Sequence, residues 1–163
     1  MKNLLCFFAF LFCTSQLHAG TNTNYLRFLL YTADQRPLRT SEWKEIFTIL
    51  SNKTDPADIS IQSGDKLTLL HHAAREDIFT LIVHLIARGA DKNAMDRWGY
   101  TPLMHAALKG NYNAISALLD LGADANLTGS PDGNPLSLAS DAGHRDIAKI
   151  LRMHGAKKYD VDF

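Results

Sequence analysis

Six histidines lie beyond residue 19 of this 163-residue chain, and imidazole is the side chain best suited to hold a metal or move a proton near neutral pH. Two of them, His72 and His105, stand 33 residues apart at matching places in a repeated sequence. Packed helices lie about 8–10 Å apart, so two such imidazoles could share one metal ion. The rest of a metal site is missing. No cysteine remains beyond residue 19, and no His-Glu-x-x-His spacing occurs. His72 and His105 are therefore expected on the surface, and His71 is expected to be a core or capping hydrogen-bonder. Ser140, Asp141 and His144 are near neighbours, but no Gly-x-Ser-x-Gly elbow presents the serine. Gly64-Asp65-Lys66 lacks the rest of a phosphate loop. The residues predict neither catalysis nor a cofactor.

The bulk composition narrows the remaining functions. Seventeen basic residues cancel seventeen acidic ones, which argues against nucleic acid and anionic membrane surfaces as partners. A length of 163 residues suits one domain. The first nineteen residues differ from the rest: Lys2 is their one charge, an apolar run covers residues 4–12, and Thr14 to Ala19 ends in a small residue. This is the plan of a secretory signal peptide, cut after Ala19. The apolar run is about half the ~20 residues a membrane span needs. Both cysteines, Cys6 and Cys13, leave with the segment, so the mature chain has no disulfide framework and depends on packing. Two glycosylation sequons, at Asn52 and Asn126, are no more than chance supplies and do not identify a compartment.

The main pattern is a period of 33. Thr68-Leu69-Leu70-His71-His72-Ala73-Ala74 aligns with Thr101-Pro102-Leu103-Met104-His105-Ala106-Ala107, and then with Asn134-Pro135-Leu136-Ser137-Leu138-Ala139-Ser140. Gly89-Ala90-Asp91, Gly122-Ala123-Asp124 and Gly155-Ala156-Lys157 keep the same offset. Thr68, Thr101 and Asn134 read as N-caps, with Pro102 and Pro135 at the first helical position. Leu70, Leu103 and Leu136 point inward, and the alanines let helices approach closely. Gly110 and Gly143 suit a left-handed helix end; Asp77 takes that place in the first copy and suits it less well. Second helices are predicted over residues 78–88, 112–121 and 145–154, each with an apolar stripe, and a glycine stops each of them.

These residues resemble the ankyrin repeat, whose Thr-Pro-Leu-His, paired alanines and Gly-Ala-Asp stop are nearly complete between Asp96 and Asn126. The first copy has Leu69 in place of the proline, and the histidine survives only as His71. The resemblance covers residues 63–158 and implies an all-α ankyrin-repeat solenoid with units at 63–95, 96–128 and 129–163. Residues 24–62 are expected to be a degenerate N-terminal capping repeat, with helices over 25–30 and 41–51 and Pro56-Ala57-Asp58 one period before Gly89. The charged last helix and the Lys157-Lys158 tail suit an exposed C-terminal cap.

The resemblance also implies binding of a protein through loop tips and the concave face of the first helices. The tips are residues 63–66, 96–100 and 129–133. The exposed helix positions are expected to be His72, Arg75 and Glu76, then His105, Leu108 and Lys109, then Leu138, Asp141 and Ala142. Arg97, Trp98 and Tyr100 form the richest cluster, because Trp, Tyr and Arg dominate interface hot spots. Leu108 and Leu138, apolar where solvent is expected, strengthen the case. The expected protein resembles small exported bacterial ankyrin-repeat proteins. It is a non-enzymatic monomer in the periplasm or outside the cell, with an unidentified protein partner, no nucleic acid and no membrane span once the signal is cut. A secreted host-directed factor and a histidine-based metal-binding protein are the alternatives.

Overall fold

Thr68, Thr101 and Asn134 each cap a short helix in the same way in the computed structural model of the chain. The structure describes residues 21–51, 61–130 and 133–159. Thr68 Oγ1, Thr101 Oγ1 and Asn134 Oδ1 accept from the amides of His71, Met104 and Ser137. The third residue answers each time: His71 Nδ1, Met104 Sδ and Ser137 Oγ accept from the backbone N–H of the cap. Three unlike side chains thus satisfy the same orphan donor, so the position does not require histidine in every copy.

Among the described residues the chain forms eight helices: α1 (Thr21–Gln35), α2 (Thr40–Ser51), α3 (Leu69–Arg75), α4 (Phe79–Ala87), α5 (Pro102–Lys109), α6 (Tyr112–Asp120), α7 (Pro135–Asp141) and α8 (Arg145–Met153). The inner helices α3, α5 and α7 stack in a row, and each packs on the outer helix that follows it. Two isolated bridges, Gln62 to Thr68 and Ser130 to Gly133, pinch the loops, and no longer strand occurs among these residues. This is the expected all-α solenoid. Each outer helix closes with the same bond, from the amides of Ala90, Ala123 and Ala156 back to the carbonyls of Leu85, Leu118 and Leu151.

One core runs the length of the array. Leu70, Leu103 and Leu136 meet Ile82, Leu85, Ile115, Leu118, Ile147 and Leu151 across the fully buried alanines Ala73, Ala74, Ala106 and Ala107. Leu26, Leu29, Leu30 and Ala33 of α1 and Ile46 and Leu50 of α2 join it. The α1 spacing is i, i+3, i+4, i+7, an apolar stripe whose last member, Ala33, lies beyond the expected helix end at Leu30, in a helix that runs on to Gln35. That extension matters below. Residues 1–19, expected to be a signal peptide, Pro56-Ala57-Asp58 and the Asn52 sequon lie outside the described residues.

Neighbouring units are joined by side chains that satisfy the other unit's backbone. Asn111 Nδ2 donates to the carbonyls of Ala74 and Arg75 at 2.8 Å each, and His144 Nε2 lies 3.1 Å from the carbonyl of Leu108, one period along. Gly110 is left-handed (φ 74°), and a Cβ there would come within 2.7 Å of the His144 ring. Asp77 holds the matching place at φ 57°, a conformation that carboxamide and carboxylate residues tolerate better than most. Its carboxylate accepts from the Ala114 amide at 2.7 Å and from Asn113 Nδ2 at 2.8 Å, capping α6 from the preceding unit. Asp77→Ala is expected to cost about 2–3 kcal/mol, because it loses the cap and leaves a Cβ in the left-handed region. Asp77→Gly loses only the cap and costs about 1 kcal/mol. Urea unfolding of the two variants measures the difference; equal losses would remove backbone strain from the account.

Candidate protein-binding surface

The second loop tip is organised around Asp96, which is only 5% exposed. Its Oδ1 accepts from the amides of Trp98 and Tyr100 at 2.9 Å, and its Oδ2 accepts from His105 Nε2 at 2.8 Å. The backbone closes the same turn, from the Asp96 amide to the Tyr100 carbonyl and from the Gly99 amide to the Asp96 carbonyl. Gly99 sits at φ 80°, and a Cβ on it would fall 2.0 Å from the Gly129 carbonyl oxygen, so the second and third loops touch backbone to backbone. Behind the turn, Tyr100 packs on the His105 ring, and its carbonyl accepts from His71 Nε2 at 3.1 Å. In front, the tip is open: Trp98 is 50% exposed, and Met95 and Arg97 are exposed beside it. Arg97 is fastened to the first loop through its amide on the Asp65 carbonyl and its guanidinium 2.8 Å from the Asp65 carboxylate.

The expected site residues therefore separate. Arg97, Trp98 and Leu108 are on the surface. Tyr100 is half-buried and braces the tip from within. His105 belongs to that brace too, and is not an exposed concave-face residue. His72, expected on the surface, is 1% exposed: Arg75 Nη2 donates to its Nδ1 at 3.0 Å, and its Nε2 lies 3.3 Å from Asp34 Oδ1. Arg75 also turns inward, donating to the Ala33 carbonyl at 2.9 Å. The sequence alone points both residues outward, because the extended end of α1, which covers them, carries no repeat signature. Leu138, matching His72 and His105 in the third unit, is buried at 4%. Asp96 is the residue that sequence reasoning missed, although an Asp three residues before a Gly is the composition of a side-chain-closed turn.

The chemistry of these groups is structural. His72 turns to Asp34 and Arg75 while His105 turns to Asp96, so the two imidazoles serve separate partners. Among the described residues no three His, Cys, Asp or Glu side chains gather as a metal would require. Ser140 Oγ donates to the Leu136 carbonyl and His144 engages Leu108, so neither serves the other as nucleophile and base. Burial holds His71 and His72 down to about 3 from an ordinary 6.5, and neighbouring cationic groups add to the effect. Burial also lowers His105, opposed by its bond to Asp96. Asp34 is raised by burial. The bonding agrees with neutral rings in His71 and His72, since Nδ1 accepts in both.

A family model for ankyrin repeats, in three copies, matches residues 17–129 and 70–162. An ankyrin repeat-containing protein of Treponema pallidum is 33% identical over 127 residues, covering 72% of this chain and 42% of that protein. The ankyrin repeat protein nuc-2 of Neurospora crassa is 39% identical over 72 residues, 44% of this chain and 7% of its own. The B-cell lymphoma 3 protein homolog of Mus musculus is 31% identical over 100 residues, 61% of this chain and 22% of its own. The chain thus spans less than half the length of each of these relatives.

Neutral buried histidines make stability depend on pH. Unfolded, His71 and His72 take up protons near 6.5, whereas folded they do so only near 3, so stability is full above 6.5 and falls as pH drops through that window. At pH 5 each is expected to cost about 2 kcal/mol; Asp34 acts in the opposite sense, at the acid end of the range. Urea unfolding between pH 7.5 and pH 5 should show the loss. His71→Met, which copies Met104, should remove part of it; an unchanged slope would overturn the assignment.

Proposed function

The chain belongs to the ankyrin-repeat family, and on that premise we propose that it is an exported, monomeric binding module that grips a partner protein through its second loop tip. Ankyrin-repeat proteins generally mediate protein–protein interaction and are typically non-enzymatic. The observation that carries the reading is a half-exposed tryptophan held up by a buried carboxylate. Asp96, His105, Tyr100 and the Gly99–Gly129 contact fix the turn before any partner arrives, so little conformational entropy is left to lose on binding. Trp98 supplies the large apolar surface, Met95 extends it, and Arg97 offers the donors left over from its pair with Asp65. Leu108 and Lys109 extend the surface along α5. His72, Arg75 and Leu138 take no part in contact.

Export rests on the basic, apolar and small-residue order of residues 1–19. No helix among the described residues is long and apolar enough to cross a membrane. N-terminal sequencing of the protein recovered from the exported fraction should begin at Gly20; an intact Met1 would overturn cleavage after Ala19, and absence of the protein from that fraction would overturn export. Retention in the periplasm, as against release into the medium, separates a resident adaptor from a host-directed factor.

Because its side chain is half exposed, Trp98→Ala should leave the unfolding free energy within about 0.5 kcal/mol of the parent. Its affinity for a partner captured from the exported fraction should fall at least about tenfold. Equal capture by the two proteins would move the contact elsewhere.

A further inference from the structure

The edge of the array away from the loop tips carries a second surface. An open groove of about 800 Å³ lies between α2 and the first repeat, with Leu38, Trp43, Phe47, Ile78 and Leu81 lining it. Leu38 and Leu81 are its buried floor, while Phe47 is 42% exposed at its wall. The wall is fixed: the Phe47 ring rests against His84 at 5.2 Å between centroids, and His84 and Arg88 both reach the Leu50 carbonyl at the end of α2. The apolar edge continues beyond the groove, because Phe79 and Tyr112, the first residues of α4 and α6, are both exposed one period apart.

Two charged residues line the groove, Lys44 and Glu76. Glu76 has a cation of its own, Arg75 Nε at 3.6 Å, whereas Lys44 has no carboxylate within ion-pair reach among the described residues. The uncompensated charge at the groove is therefore positive and sits beside bare aromatic surface. The groove is open along one side and cannot enclose a small molecule, which ordinarily buries most of its surface. A linear segment of another protein can lie along it and continue over Phe79.

We propose that this groove docks an acidic amphipathic segment of a partner protein, its bulky apolar side chains set against Trp43 and Phe47 and a carboxylate on Lys44. The site is separate from the Trp98 tip and does not depend on it.

The test uses two labelled helical peptides of about 16 residues that share one leucine and phenylalanine stripe, flanked in one by glutamates and in the other by lysines. Fluorescence anisotropy with the full mature chain, at about 0.15 M salt, gives both affinities. The glutamate peptide should bind at least about tenfold more tightly than the lysine peptide, Lys44→Glu should abolish or reverse that order, and Phe47→Ala should weaken the glutamate peptide about tenfold. Trp98→Ala should leave it within about twofold, which keeps this result distinct from the loop-tip reading. Equal binding of the two peptides, or a preference that survives Lys44→Glu, would overturn the proposal. Loss of binding with Trp98→Ala would also overturn it. A concentration-dependent dimer in sedimentation that is lost in Phe47→Ala would assign the groove to a second copy instead.

Discussion

The inner helices α3 and α5 end in carbonyls that are met by side chains of the following unit. Asn111 supplies donors to Ala74 and Arg75, and His144 lies in hydrogen-bond reach of Leu108, each reaching back across one junction. The loops obey the same rule in the other direction: Asn93 and Asn126 accept from the amides of Asp124 and Lys157 in the following unit. Buried backbone groups without partners are too costly to keep, so a unit of this sequence is complete only when stacked. The stacking of the inner helices in a row follows from that requirement.

The first end of the array is closed by other means. Helices α1 and α2 extend the core with leucines, but polar contacts fasten them: Arg75 to the Ala33 carbonyl, and His84 and Arg88 on the Leu50 carbonyl. A histidine that would line a concave groove in an open-ended solenoid is thus internal here. The apolar channel beside Trp43 lies between α2 and the first repeat, floored by Leu38 of the link between α1 and α2 and by Leu81 of α4.

Most of the fold was legible in the sequence because the repeat is held together locally. N-caps, prolines at the first helical turn and glycine stops act within a few residues of themselves, so Thr68, Thr101, Asn134 and the three outer-helix glycines could be read without a structure. Burial was not legible in the same way. Alignment at a period of 33 shows that His72, His105 and Leu138 are equivalent, but what covers each depends on distant chain: α1 over His72, the Asp96 turn over His105. Arg75 was misplaced for the same reason. In the candidate surface, Trp98 and Arg97 were found by residue type, while Asp96 was passed over because its charge suggested solvent. A carboxylate given three donors loses that preference.

The two junctions are chemically different, and this fixes more than stability. The first sets a left-handed aspartate against an alanine amide; the second sets a bare glycine beneath an imidazole that leaves no room for a Cβ. Asp77 could not stand in front of His144, and Gly110 in front of Ala114 would leave that amide without its acceptor. Units that look interchangeable at the level of their shared pattern are therefore not free to be permuted, duplicated or shuffled. The array carries its own serial order, written as a lock-and-key difference between one seam and the next, and the spacing of its loop tips is inherited from that order.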